Sequence, residues 1–280
     1  MTSTAPGQLA PAPLRAYGGY LFDLDGTIYL GDSLLPGAYE LVTGLRRSGR
    51  ETLFLSNNPT RDPQMYADKL TRLGLPTPVD RIVNPVVTMV AWLRAEAPDA
   101  AVFVIGEEPL IRAIRAAGIR TSEDPREIDV VIASYDRSFD YRKLQIAFDA
   151  LWQYRRARLV ATNPDAYCPM PEGRGEPDAA AVIAAIEAST GIRCEANVGK
   201  PAPVMLRTAL DVLGLPGPEC LMVGDRLHTD IAMAADAGID SALVLTGEST
   251  AEMAAQLPPE RRPTFVLPRI DALLSPFTGA

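Results

Sequence analysis

A single histidine, His228, stands in 280 residues. That excludes a histidine metal cluster, and a Ser-His-Asp triad would have to use this one ring. Nothing around His228 suggests one, and a surface position on the loop after Asp225 is expected. Cysteine is nearly as scarce. Cys168, Cys194 and Cys220 lie far apart, are odd in number and form no CxxC pair, so neither a disulfide framework nor a zinc site follows. This usage fits a reducing, cytoplasmic setting. Cys220 opens an apolar run and reads as a small buried residue. Positive charge is also short: 27 Lys and Arg face 35 Asp and Glu, a net charge of −8. No nucleic-acid partner is expected, because phosphate contacts need a basic face. No apolar run reaches the roughly 18 residues of a membrane span, so no membrane partner is expected either. The first residues, rich in Pro, Ala and Thr, lack the charged start and apolar centre of a secretory signal, and 1–17 reads as a flexible arm.

The chain does hold apolar residues in plenty, 47% against 22% charged, which implies a packed globular protein of one large or two ordinary domains. Strand and helix patterns alternate from Gly19 onward. Strands are expected at 19–22 and 51–55, and helices at 37–48, 63–73 and 86–95, with Pro36 and Pro63 just inside their helix starts. A second series follows: strands at 101–105, 130–133 and 158–161, helices at 109–117 and 141–154. An irregular stretch, 162–177, precedes a helix at 178–189. The first series then resumes with 196–198, a helix at 203–213, a strand at 220–223, a helix at 229–237 and a strand at 241–245. Residues 263–267 read as an edge strand, where Pro is tolerated. This rhythm predicts an α/β fold, a parallel sheet with covering helices. The predicted division is 18–86 with 194–280 as one domain and 87–193 as an inserted α/β domain.

Polar clusters punctuate the apolar strands. The run at 19–22 ends on Asp23 and Asp25, with Gly26 and Thr27 behind them. Acids closing a buried run are costly unless a cation or hydrogen bonds meet them, and ligands bind at the carboxyl ends of strands in open α/β sheets. An Asp-Gly turn that simply reverses the chain is the plain alternative. The strand at 51–55 ends on Ser56-Asn57-Asn58. A hydroxyl and successive amides there suit an anion, while a helix cap uses the same residues. Lys200 stands between Gly199 and Pro201, as a buried paired cation or an exposed turn lysine. The strand at 220–223 ends on Gly224-Asp225-Arg226, with Asp230 five residues beyond Asp225. Asp230 also suits a helix N-terminus. Two carboxylates such as Asp23 and Asp25 need compensation if both are ionised and close, and Mg2+, a hard six-coordinate ion, supplies it. Spacing alone does not tell which of the two would attack a substrate.

Asp-x-Asp-Gly-Thr, Ser-Asn-Asn, Gly-Lys-Pro and Gly-Asp-x-x-x-x-Asp, in this order, resemble the four motifs of the haloacid dehalogenase-like (HAD) phosphohydrolases. The long insert between the second and third is similar to that of class IIA, the NagD-like and 4-nitrophenylphosphatase-like branch. The resemblance covers roughly 19–247. It implies a Rossmann-like core with an inserted α/β cap, and Mg2+-dependent hydrolysis of small phosphate monoesters through an aspartyl-phosphate. It implies Asp23 as nucleophile and metal ligand. Asp25 is then the general acid/base, with its backbone carbonyl on the metal, and Asp225 a further ligand. Ser56, Asn57 and Lys200 would bind the phosphoryl group. Asp230 would sit behind the metal waters or Lys200, and Thr27 would orient Asp25. A dehalogenase is disfavoured, because its nucleophile motif lacks the second acid.

Class IIA members carry a similar Thr-Asn-x-Asp loop in the cap, here Thr162-Asn163-Pro164-Asp165, with specificity residues just after it. That implies Tyr167, Cys168, Met170 and Arg174 as substrate contacts. The Pro-Gly-x-Gly turn common in the class is replaced by Glu176-Pro177-Asp178-Ala179, which looks more like its sugar-phosphate phosphatases. Sugar or polyol phosphates are therefore the expected substrates, with nucleoside monophosphates or phosphoglycolate as the alternative. A phosphomutase, or a phospho-sugar binding protein without turnover, is the remaining reading. Cap surfaces often mediate dimers in such folds, so the resemblance admits a homodimer through the cap and leaves the oligomeric state open.

Overall fold

Alternating apolar strands and one-sided helices build two parallel sheets, each in its own unit. The structure, a computed structural model, describes residues 15–170 and 173–277, so nearly all of the expected arm at 1–17 lies outside the described residues. One unit takes in the described residues up to Ser56, Ala67–Val83 and those from Leu206 on; the other takes in Asn57–Tyr66 and Asn84–Met205.

The first unit holds a six-stranded sheet in the order Phe265–Leu267, Asp240–Val244, Cys220–Gly224, Gly19–Asp23, Glu51–Leu55, Ile82–Val83, parallel throughout. Gly19–Asp23 is buried along its whole length. A central parallel strand is covered on both faces, which is why its sequence is a continuous apolar run rather than an alternating one. Tyr20, Leu21 and Phe22 each contribute roughly 1.5–3 kcal/mol by leaving water. Helix Ala38–Arg47 buries Ala38, Leu41, Val42 and Leu45, spaced three and four apart on one stripe. Gly37 caps this helix, so Pro36 lies before it and not in its first turn. Pro63 does open its helix, Pro63–Arg72. The expected edge strand is present as Phe265–Leu267.

The second unit holds a four-stranded parallel sheet in the order Ala196–Asn197, Arg158–Ala161, Val130–Ala133, Val102–Ile105. Alternate residues of each strand feed opposite cores. Val131 and Leu159 pack with Ile146, Leu151 and Ile186, while Val130, Ile132 and Val160 pack with Met89, Trp92 and Leu93. The short strand Ala196–Asn197 thus pairs within this sheet instead of resuming the first series. The stretch read as irregular contains an antiparallel ribbon, Tyr167–Pro169 with Gly175–Pro177. Two strands only three residues long, each ending in proline, give no alternating pattern to read. The helix expected over 141–154 is α-helical to Phe148 and continues as a π-helical turn, Asp149–Gln153. Among the described residues, no helix is long and apolar enough to cross a membrane.

Candidate active site

Register places the acids. In the first unit Asp23 pairs with Leu55 on one side, so Ser56 is the next residue out along that neighbour. On the other side Phe22 pairs with Val223, so Gly224 stands level with Asp23 and Asp225 follows. Three adjacent parallel strands therefore deliver Asp23, Ser56 and Asp225 to one carboxyl edge. All three are buried, at 7%, 4% and 2% exposure.

Asp230 joins them. The chain after Asp225 winds into a π-helical turn, Leu227–Ile231, ahead of the α-helix Ala232–Ala237. Such turns recur at functional sites because they re-aim one side chain. Asp230 is fully buried, and its Oδ2 accepts the Arg226 N–H at 3.2 Å. One oxygen from each of Asp23, Asp225 and Asp230 lies within 4.8 Å of the other two. Burial first, then the charges of Asp23 and Asp230, push the Asp225 carboxyl up from 3.8 to about 8. Its Oδ2 accepts the Glu248 N–H at 2.8 Å, but its buried Oδ1 has no hydrogen-bond partner. Three buried carboxylates with an oxygen left over suit a hard cation, and their all-oxygen donors fit Mg2+ chemically.

Asp25 is arranged differently. It is exposed, it lies outside the carboxylate cluster, and its Oδ2 accepts the Tyr29 hydroxyl at 3.2 Å. The intervening turn is closed by Gly26 N–H on Tyr29 O at 2.9 Å. Gly26 has φ +84°, a region that side chains disfavour, and a Cβ there would lie 2.7 Å from Asp225 Oδ2. Thr27 is fully buried, and its hydroxyl has no hydrogen-bond partner; Tyr29 supplies the hydroxyl that Asp25 receives.

Sequence reasoning passed over two contributors here, Tyr29 and the loop Leu245–Ser249. In that loop Glu248 N–H meets Asp225, the Thr246 hydroxyl donates to Gly26 O at 2.6 Å, and Ser249 Oγ accepts the Leu227 N–H at 3.2 Å. A Cβ on Gly247 would fall onto the Asp225 carboxylate. The available signal was a Thr-Gly pair shortly after an apolar strand, Asp240–Val244, the same punctuation that marks Asp23 and Asp225.

Asn57 and Lys200 belong to the second unit. Asn57 Oδ1 accepts the Lys200 N–H at 2.6 Å, and its Nδ2 donates to Lys200 O and to Asp165 Oδ2, both at 3.0 Å. Lys200 is 2% exposed, so it is no surface turn lysine. Tyr167, Met170 and Arg174 are exposed on or beside the ribbon, where Met170 N–H donates to Arg174 O at 2.8 Å. Cys168 is half-buried, and Asn58 Nδ2 lies 3.6 Å from its Sγ. His228 is largely exposed, as expected.

Known proteins resemble this chain in sequence and in fold. The family model described as haloacid dehalogenase-like hydrolase matches residues 20–120, and a HAD-hydrolase-like model matches 197–273. The sugar-phosphatase AraL of Bacillus subtilis is 38% identical over 231 residues, 82% of this chain and 84% of that one. An acid sugar phosphatase of Staphylococcus epidermidis is 34% identical over 248 residues, 88% and 94% of the two chains. Among solved structures, a 4-nitrophenylphosphatase from Thermotoga maritima superimposes with a TM-score of 0.85 at 34% identity, covering 92% of this chain and 97% of its own. NagD from E. coli gives 0.82 at 28% identity, with 92% and 98% covered.

Proposed function

The chain belongs to class IIA of the haloacid dehalogenase-like hydrolases, and from that premise we propose a Mg2+-dependent phosphatase that cleaves sugar or polyol phosphates through a phosphorylated Asp23. It is a phosphatase acting on small phosphate monoesters. The observation that carries the mechanism is the buried cluster of Asp23, Asp225 and Asp230 at one sheet edge, with an Asp225 oxygen left unpartnered. The choice of sugar esters is supported by the sugar phosphatases of B. subtilis and S. epidermidis.

In the proposed reaction an Asp23 oxygen attacks phosphorus while the ester P–O bond breaks. Asp25, exposed and oriented by Tyr29, gives its proton to the departing alkoxide. The resulting Asp25 carboxylate takes a proton from water, whose oxygen attacks the phosphorus of aspartyl-phosphate and regenerates Asp23. Ser56 and the Asn57 amide donate to phosphoryl oxygens, and Lys200 offsets charge that develops there. Asp23, Asp225 and the Asp25 backbone carbonyl would hold Mg2+, with Asp230 behind them, and the bound ion would screen the Asp23 carboxylate from the dianionic ester. We assign 87–193, together with the strand Ala196–Asn197 that completes its sheet, as the cap, with Tyr167, Cys168, Met170 and Arg174 contacting the sugar. A reducing, cytoplasmic setting is the reading that the cysteine usage supports. A homodimer through the second unit is supported by the exposed Tyr141, Trp152 and Tyr154.

Asp23→Asn tests the nucleophile. Loss of turnover with an unchanged far-UV spectrum is expected; a folded variant that retains substantial turnover sinks the assignment.

A further inference from the structure

Asn57 and Lys200 come from segments 143 residues apart, yet one carboxamide meets both backbone groups of Lys200. The N–H of Lys200 points at Asn57 Oδ1, and one Nδ2 hydrogen points at Lys200 O. The second Nδ2 hydrogen goes to Asp165 Oδ2. Asp165 is itself held. The same Oδ2 accepts from Asn163 Nδ2 at 3.2 Å, and Asp165 O accepts the Ala180 N–H at 3.1 Å. Asn163 is fully buried. Its Oδ1 accepts the Thr162 hydroxyl at 2.7 Å, and its Nδ2 also donates to Asp178 Oδ1 at 3.0 Å. Asp178 caps helix Ala179–Thr190. The chain of bonds therefore runs from a helix start through the Thr162–Asp165 loop to the Asn57 carboxamide, and every hydrogen of both amides is used.

We infer that Asp165 is a positioning residue. It clamps Asn57, and through Asn57 the backbone of Lys200, so that the two phosphoryl-binding segments keep one register. This rests on the phosphatase reading and gives the loop a different task from contacting the sugar. A clamp on the phosphoryl groups acts equally on every ester, whereas a sugar contact acts on some and not on others. The clamp also needs an acceptor at Oδ2 and no charge, so an asparagine at 165 can replace it through its carbonyl oxygen.

The test compares Asp165→Ala and Asp165→Asn with the wild-type protein on a sugar phosphate, glycerol phosphate and 4-nitrophenyl phosphate, with Mg2+ present. Asp165→Ala is expected to lose about 10-fold or more in kcat, the scale of leaving one amide hydrogen without its acceptor. The factor should be the same for all three esters, with KM changed less than kcat, and Asp165→Asn should recover most of it. Side-chain amide NMR gives a readout apart from activity: the Asn57 NH2 signals should be protected from exchange in wild type and Asp165→Asn, and exposed in Asp165→Ala. If Asp165→Ala does not fold, Asp165→Ser, too short to reach, takes its place. A loss that differs between esters, an Asp165→Asn as impaired as Asp165→Ala, or unchanged Asn57 signals each overturns the clamp. A wild-type protein inert on every ester overturns the phosphatase reading instead, and the NMR comparison still decides the clamp.

Discussion

Asp225→Asn should make the metal-free protein more stable while removing its response to Mg2+. The carboxyl of Asp225 titrates at about 8 in the folded state and near 3.8 ordinarily, because burial and then Asp23 and Asp230 disfavour its charge. The folded protein thus holds a proton that the unfolded chain releases, and this group's contribution to stability is lost as pH rises from about 4 to about 8. At 1.36 kcal/mol per tenfold in acidity, the full interval is worth roughly 5 kcal/mol at pH 8. Asparagine keeps an acceptor for the Glu248 N–H and turns an NH2 toward the neighbouring anions. Repulsion between Asp23 and Asp230 persists, so roughly half, about 2–3 kcal/mol, should be recovered. For a chain of 280 residues that raises Tm by about 3–5 °C. The assay is thermal melting at pH 5 and pH 8, in EDTA and in Mg2+. Wild type should gain from Mg2+ at pH 8 by mass action, and the variant should gain little. A variant that melts at or below wild type in EDTA at pH 8, or that gains equally from Mg2+, refutes the reasoning.

Two further substitutions probe the surroundings of the cluster. Gly247→Ala places a methyl group on the Asp225 carboxylate; it should cost about 1–3 kcal/mol in urea titration and lower Mg2+-dependent turnover about 100-fold, and wild-type turnover in this variant contradicts the close approach. Tyr29→Phe removes the hydroxyl on Asp25; in single-turnover measurements of alcohol release it should slow the first step about 10-fold for a sugar phosphate, yet barely slow it for 4-nitrophenyl phosphate, whose leaving group needs no proton. Equal slowing of both esters speaks against Asp25 as the acid.

Much of the first unit could be read from the chain, and the reason is physical. Strands such as Gly19–Asp23 and Cys220–Gly224 are buried on both faces, so their apolar runs are continuous, and the polar residue that ends each run falls at the sheet edge. Three such endings, with Gly199-Lys200-Pro201 in its place between the second and the third, were enough to identify the class. The resemblance assigned Asp225 to the metal and kept Asp230 behind it, but the convergence of their carboxylates depends on the π-helical turn at Leu227–Ile231, which no periodicity announces. Elements of two or three residues, such as the hairpin of Tyr29–Leu30 with Ser33–Leu34 and the ribbon at Tyr167–Pro169, carry no period at all. Ala196–Asn197 was assigned to the wrong sheet because strand order is set by long-range pairing, here with Arg158–Ala161. The bonds from Asp165 to Asn57 span 108 residues and leave no local trace.

The most direct test of the central claim is phosphate release from a panel of monoesters, with Mg2+ and with EDTA. The panel holds sugar phosphates, glycerol phosphate, nucleoside monophosphates, phosphoglycolate and 4-nitrophenyl phosphate. The account predicts release that requires Mg2+, fastest among the natural esters for sugar or polyol phosphates. Release undiminished by EDTA contradicts the role given to Asp23, Asp225 and Asp230, and a preference for nucleoside monophosphates or phosphoglycolate contradicts the substrate assignment.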